Sequence, residues 1–154
     1  MTEFSVQNPA FVTYLIAASL MILKVMGQGW MTVYRMIKSE AGLLNPEDLT
    51  PGPANRNPRP EQLERNEYVD RSRRMHLNDL ENIPAFLVCG LIFVAIRPPL
   101  LWVEILMYTF VVARLAHTLA YATGQRHEVR ATLYSVGSIV VIVMAVWVLA
   151  ALLL

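Results

Sequence analysis

The chain has 154 residues, 55% of them hydrophobic and only 16% charged, with a mean hydropathy of +0.42. That length suits one domain, and the charged share falls well below the roughly 25% of a soluble domain, so a water-exposed globular fold does not fit. A net charge of +1, with no basic stripe interleaved with aromatics, leaves no footprint for nucleic acid.

The first apolar run starts at Pro9 and continues past Lys24 to about Ile37. At 1.5 Å per residue it is long enough to cross a hydrocarbon core of ~30 Å. Glu3 stands where a secretory signal would carry basic residues, and no small-residue cleavage site follows, so the run reads as a retained signal-anchor and first helix. The next segment, about 38–64, differs in kind. Pro46, Pro51, Pro53, Pro58 and Pro60 break helix and remove backbone donors, which predicts a polar connecting loop. Within it, Asn45–Pro46–Glu47–Asp48 reads as the start of a helical turn, with Asn capping and Pro at the first position.

A second helix is expected over about 67–96, charged in its first half and stopped by Arg97–Pro98–Pro99. A third runs over about 100–123 and ends at Gly124, a favourable C-terminal cap. A fourth runs over about 127–153 and carries no charge from Ala131 to Leu154, the strongest membrane-span signal in the chain. The whole is expected to be a single all-α membrane domain, 1–154, with four transmembrane helices. Lys38, Arg56, Arg59 and Arg65 fall in the first connection and Arg126 in the third, beside Arg130, whereas the second holds only Arg97. The positive-inside rule then puts both termini on the lumenal or exterior side.

Ionisable side chains inside membrane helices cost several kcal/mol unless they face protein or water, so each is a functional candidate. On the second helix Arg74, Asn78 and Glu81 share a face, with Arg73, His76 and Asp79 on the same turns. Arg114, His117 and Tyr121 share a face of the third helix, and Arg130 and Tyr134 one of the fourth. Tyr34 and Arg35 lie at the matching end of the first. Arginines suit carboxylates, Glu81 suits an ammonium group, and Asn78 supplies an amide. A ligand with two carboxylates and one amine matches, and glutathione is such a molecule.

Structural readings stand beside these. Arg71, Arg73 and Arg74 could be interfacial anchors, and Tyr121 and Tyr134 belt residues. Arg114 could pair with Glu81 or Asp79 to join two helices, and His117 could be an interhelical hydrogen-bonder. Lys24 and Glu104 carry no assigned role beyond pairing or lining a subunit contact. The lone Cys89 allows no intrachain disulfide and reads as a buried thiol. His76, His117 and His127 lack a standard metal spacing, and no Gly-rich phosphate loop or G-x-S-x-G elbow is present.

The stretch Glu67 to Pro84, EYVDRSRRMHLNDLENIP, resembles the signature of the membrane-associated proteins in eicosanoid and glutathione metabolism, the MAPEG family. Asn45–Pro46–Glu47–Asp48, the ARLAHTLAY run from Ala113 to Tyr121, and Arg130–Ala131 resemble three further motifs of its glutathione transferase and prostaglandin E synthase branch. The resemblance spans roughly Lys24 to Tyr134. It implies a homotrimer of four-helix subunits in the endoplasmic reticulum membrane that uses glutathione on a lipophilic small molecule. By position it implies glutathione contacts from Arg35 (reaching from the adjacent subunit), Arg73, Arg74, His76, Asn78, Glu81, Arg114, His117, Tyr121 and Arg130. Arg130, Tyr134 and Asp48 are the implied catalytic residues, with Arg130 stabilising the thiolate. Leu77 and Ala131 are transferase-like, whereas Tyr134 and Asp48 are synthase-like. The balance favours a transferase with peroxidase activity over the synthase. A small transporter coupling protons through Glu104 is the rival from another class, and a non-catalytic adaptor of the same superfamily is disfavoured by the retained Arg, Glu and Tyr positions.

Overall fold

A computed structural model describes residues 3–154 as four long α-helices, α1 (Pro9–Ser39), α2 (Glu67–Ala95), α3 (Leu100–Ala122) and α4 (His127–Leu153). Two short 3-10 turns, Pro46–Leu49 and Pro60–Leu63, lie in the connection between α1 and α2. All four helices contain an 18-residue stretch apolar enough to span a bilayer, with mean hydropathies over those stretches of 1.9, 1.5, 1.5 and 2.8 in chain order. The protein is therefore an all-α integral membrane protein with four candidate spans. Large apolar side chains such as Leu23, Trp30, Val112, Leu119 and Leu152 stand exposed along these helices, as lipid-facing positions should.

Local chemistry sets the helix ends. Asn8 accepts from the Ala10 N–H at 3.1 Å, with Pro9 pre-set for the first turn. The Asn66 side chain accepts from the Tyr68 and Val69 N–H groups at 3.0 and 3.3 Å, so α2 starts at Glu67. α1 continues two residues past Ile37, where the Ser39 hydroxyl donates back to the Arg35 carbonyl at 2.8 Å. α2 closes at Ala95, because Arg97 adopts φ 54° ahead of two prolines. α3 ends in a Schellman motif. Gln125 N–H reaches the Ala120 carbonyl at 2.8 Å, Gly124 N–H reaches Tyr121 at 3.1 Å, and Gly124 takes the left-handed φ of 69° the motif requires.

The chain divides into two compact units, residues 25–77 and the remainder, with α1 and α2 contributing to both. In the larger unit, aromatic and methionine side chains build the core. Phe86 stacks on Phe110 with ring centroids 3.9 Å apart, and Trp147 packs edge-on against both Phe93 and Trp102. Met21, Met107 and Met144 are fully buried around them and fill irregular space between helices. In the 25–77 unit, Gln62 is buried and exchanges amide hydrogen bonds with Asn55 (2.7 and 3.3 Å), while its backbone carbonyl accepts from the Leu43 N–H. Its side-chain oxygen also caps the second 3-10 turn through the Arg59 N–H. Asp48 does the same for the first turn, accepting from the Asn45 N–H at 3.4 Å.

Candidate functional site

The larger unit gathers most of the polar side chains that sequence spacing singles out. Asp79 on α2 is 1% exposed and receives two cations, Arg114 Nη2 from α3 and Lys24 Nζ from α1, each at 2.5 Å. Arg114 is itself 0% exposed, and its Nη2 also donates to the Asn78 carbonyl at 3.0 Å. The sequence left Arg114 a choice of Glu81 or Asp79, and it takes Asp79. Lys24, which had no assigned role, is the second ligand of the same carboxylate. Buried charges of this kind are tolerated only when paired and hydrogen-bonded. Here two cations share one anion, and Arg114 Nε and Nη1 find no hydrogen-bond partner.

α4 completes this environment. Its Gly137 lies where any Cβ would sit 3.3 Å from Arg114 Cδ, so the absence of a side chain there lets the arginine stem pass. Tyr134 sits one turn before, its ring 5.8 Å from the Arg114 guanidinium and its hydroxyl donating to Glu81 at 3.4 Å. His117 is 2% exposed, with its ring 5.0 Å from that of Tyr121 and 6.2 Å from that of Tyr134. Arg130 lies over the Tyr121 ring at 4.5 Å, and the Asn78 amide donates to the Tyr121 hydroxyl at 3.4 Å. Arg130 Nε is buried without a partner. Asn78, Glu81, Arg114, His117, Tyr121, Arg130 and Tyr134 thus form one contact network drawn from three helices.

The remaining candidates lie in the 25–77 unit. Arg35 is buried, donates from Nη1 to the Tyr68 carbonyl at 3.1 Å and stacks on the Tyr68 ring at 4.5 Å. Arg73 pairs with Asp70 at 3.1 Å and donates to the Gly42 carbonyl. Arg74 pairs with Glu67 at 2.5 Å. His76 packs at the open Cα of Gly29, with its Nδ1 buried and unpartnered. Asp48 is half-buried on the wall of a cavity of about 570 Å³ shared with Glu40, Glu47, Asn55 and Arg56.

Sequence reasoning missed two features. One is the Lys24–Asp79 pair. The other, in the 25–77 unit, is a buried hydroxyl–amide ladder in which Gln28 Nε2 and Thr32 Oγ1 both meet Ser72 Oγ at 2.9 Å. A signal for both existed, because Lys24, Gln28 and Thr32 recur every four residues along α1 and so share one face.

Similarity to known proteins extends over most of the chain. Residues 14–150 match the MAPEG family. The chain is 35% identical to rat microsomal glutathione S-transferase 1 over 136 residues, 88% of this chain and 84% of that protein. It is 32% identical to the pig microsomal glutathione S-transferase 1 over 139 residues (90% and 88%), and 30% identical to human prostaglandin E synthase over 134 residues (86% and 83%). A family match across nearly the whole chain, with relatives at this identity, leaves one conclusion: the protein belongs to the MAPEG family.

Proposed function

We propose that this protein is a membrane-bound glutathione transferase with peroxidase activity, working as a homotrimer in the endoplasmic reticulum membrane with both termini lumenal. Glutathione is read as the substrate that supplies the thiol, and a lipophilic electrophile or hydroperoxide as the substrate that arrives through the bilayer. The observation that carries the reading is Arg130, whose guanidinium lies over Tyr121 with Nε buried and unpartnered. A buried donor left over in this way suits an anion. Only a thiolate attacks, and a permanent cation beside a thiol lowers its pKa from about 8.5. Tyr121 links Arg130 to Asn78 and His117, and through Tyr134 to Glu81, and this network offers the amide, carboxylate and hydroxyls that a peptide backbone and its ammonium group need. Arg35, Arg73, Arg74 and His76 are proposed, from the family resemblance, as further contacts to the carboxylates. Arg114 is proposed to act from behind them, since Asp79 already holds it.

The test is isothermal titration of glutathione into the purified protein and into Arg130→Ala, followed by conjugation of an aryl halide. Turnover should fall about a hundredfold or more, the scale seen when a donor to a developing anion is removed, while binding is largely kept. Failure of the wild type to bind glutathione or to conjugate the halide sinks the reading.

A second reading, glutathione-dependent isomerisation of a prostaglandin endoperoxide, is favoured by Tyr134 and Asp48 and by the resemblance to human prostaglandin E synthase. Product analysis with that endoperoxide separates the two. An isomerase rate untouched by Asp48→Ala removes Asp48 from the catalytic set.

A further inference from the structure

Glu104 takes no part in the network around Asp79. It lies in the second turn of α3, half-buried, and among the described residues it makes no ion pair or hydrogen bond. It lines a groove of about 560 Å³ between α3 and α4, together with Leu101, Tyr108, Val112, Ala116, Leu133 and Val136. From Glu104 the groove follows α3 to Ala116, twelve residues or about 18 Å of helix. That is the reach of one long alkyl chain. Apolar walls with a single carboxylate at one end form an amphiphile's outline, and the sign of the charge names the head group. Tyr108 and Thr109 line the same groove about one turn on from Glu104, and their hydroxyl oxygens are of the kind that accepts hydrogen bonds from an ammonium group.

A second copy of the chain is a poor occupant. Copies in one membrane share an orientation, so equal depths meet, and among the described residues the other charged side chains near this end of α3 are Arg97 and Glu3, which pair with each other. The cations deeper in the spans, Lys24 and Arg114, are held by Asp79, and the others lie at helix ends flanking the first and third connections. An aminophospholipid is also a poor occupant, because its phosphate would sit within a few ångströms of the Glu104 carboxylate, and no Lys or Arg lines the groove to offset it. We propose that the α3–α4 groove binds a single-chain membrane amphiphile bearing a primary amine, with its ammonium on Glu104 and its alkyl chain along the wall to Ala116. This assignment stands apart from the glutathione reading, since it uses none of the same side chains.

The experiment is photolabelling of the full chain in non-ionic detergent with a diazirine-bearing hexadecylamine, with crosslinks mapped by mass spectrometry. The matching hexadecanol probe reports the alkyl chain alone. The amine should label peptides of α3 and α4 that wall the groove, and Glu104→Gln should cut that labelling about tenfold or more, as loss of a charge-assisted contact in apolar surroundings implies. Hexadecanol labelling should be weaker and unchanged by the substitution. Val112→Phe, at an exposed groove position that does not bear on folding, should block the amine while leaving Glu104 in place. Equal labelling by amine and alcohol, or full labelling of both variants, overturns the proposal. So does displacement of the probe by phosphatidylethanolamine more readily than by unlabelled hexadecylamine.

Discussion

Lys24 and Asp79, 55 positions apart, meet at 2.5 Å within the membrane-spanning part of the protein, and Arg114 holds the other carboxylate oxygen at the same distance. One anion thereby ties α1, α2 and α3 together. The stoichiometry matters more than the count of bonds, because removing the shared member strands two cations whereas removing Lys24 leaves a matched pair.

Asp79→Ala is accordingly expected to lose about 3–5 kcal/mol, the range for breaking a buried pair from one side. Lys24→Met should lose much less, since the Arg114–Asp79 contact survives and the methionine replaces the aliphatic stem. Thermal unfolding in detergent measures both. Equal losses would contradict the assignment of Asp79 as the shared anchor.

Gly137→Ala tests how firmly Arg114 is held. The added methyl would lie 3.3 Å from Arg114 Cδ, and the guanidinium beyond it is fixed by Asp79 and the Asn78 carbonyl, so the side chain has little freedom to yield. Overpacking costs about 1–3 kcal/mol, against which alanine regains up to about 1 kcal/mol of helix propensity. A net loss is expected. Gly27 is the control, because nothing lies within 4 Å of the corresponding position, and Gly27→Ala should stabilise by up to about 1 kcal/mol. If both alanines move the melting temperature the same way, Arg114 is not rigidly seated.

Tyr121 offers a ring to Arg130 and a hydroxyl to Asn78, and the two roles separate by substitution. Tyr121→Phe keeps the ring and loses only a long hydrogen bond. Tyr121→Leu removes the cation–π contact as well, worth about 1–2 kcal/mol when partly desolvated. Aryl halide conjugation should show little change in turnover for the first and a fall of about tenfold for the second. Similar turnover would mean that Arg130 is positioned without Tyr121.

The Asn66 cap predicts a modest, local effect. Asn66→Ala withdraws the acceptor from the Tyr68 and Val69 N–H groups and should cost about 1 kcal/mol. Hydrogen exchange should rise in the first turn of α2 and stay unchanged in α3. A global rise would show that the start of α2 is not an independent unit of opening.

The four spans were legible because hydropathy and charge depletion are properties of a segment and need no tertiary partner. Gly124 marked the end of α3 for the same reason, since a left-handed cap is a local demand. Spacing also grouped Asn78 with Glu81, and His117 with Tyr121, on helix faces that do meet. Partner choice was another matter. Asp79 and Glu81 are two positions apart, both within reach of a third-helix arginine by sequence, and only the packing of α2 against α3 decides that Asp79 turns inward while Glu81 stays exposed. Lys24 was opaque by itself, because a lone ammonium on an apolar helix says that a partner exists without saying where. Asp48 illustrates the limit from the other side: the turn motif was readable, whereas the loop cavity beside it depends on residues as far apart as Val33 and Gln62.

The same 55-residue interval sets a problem for biogenesis. Ribosomes add about 5–20 residues per second, so Lys24 is made roughly 3–11 s before the carboxylate that neutralises it. An uncompensated lysine at the centre of a helix adds about 2.5–3.5 kcal/mol to insertion. Insertion of the first helix should therefore become more favourable once the second arrives and supplies the carboxylate.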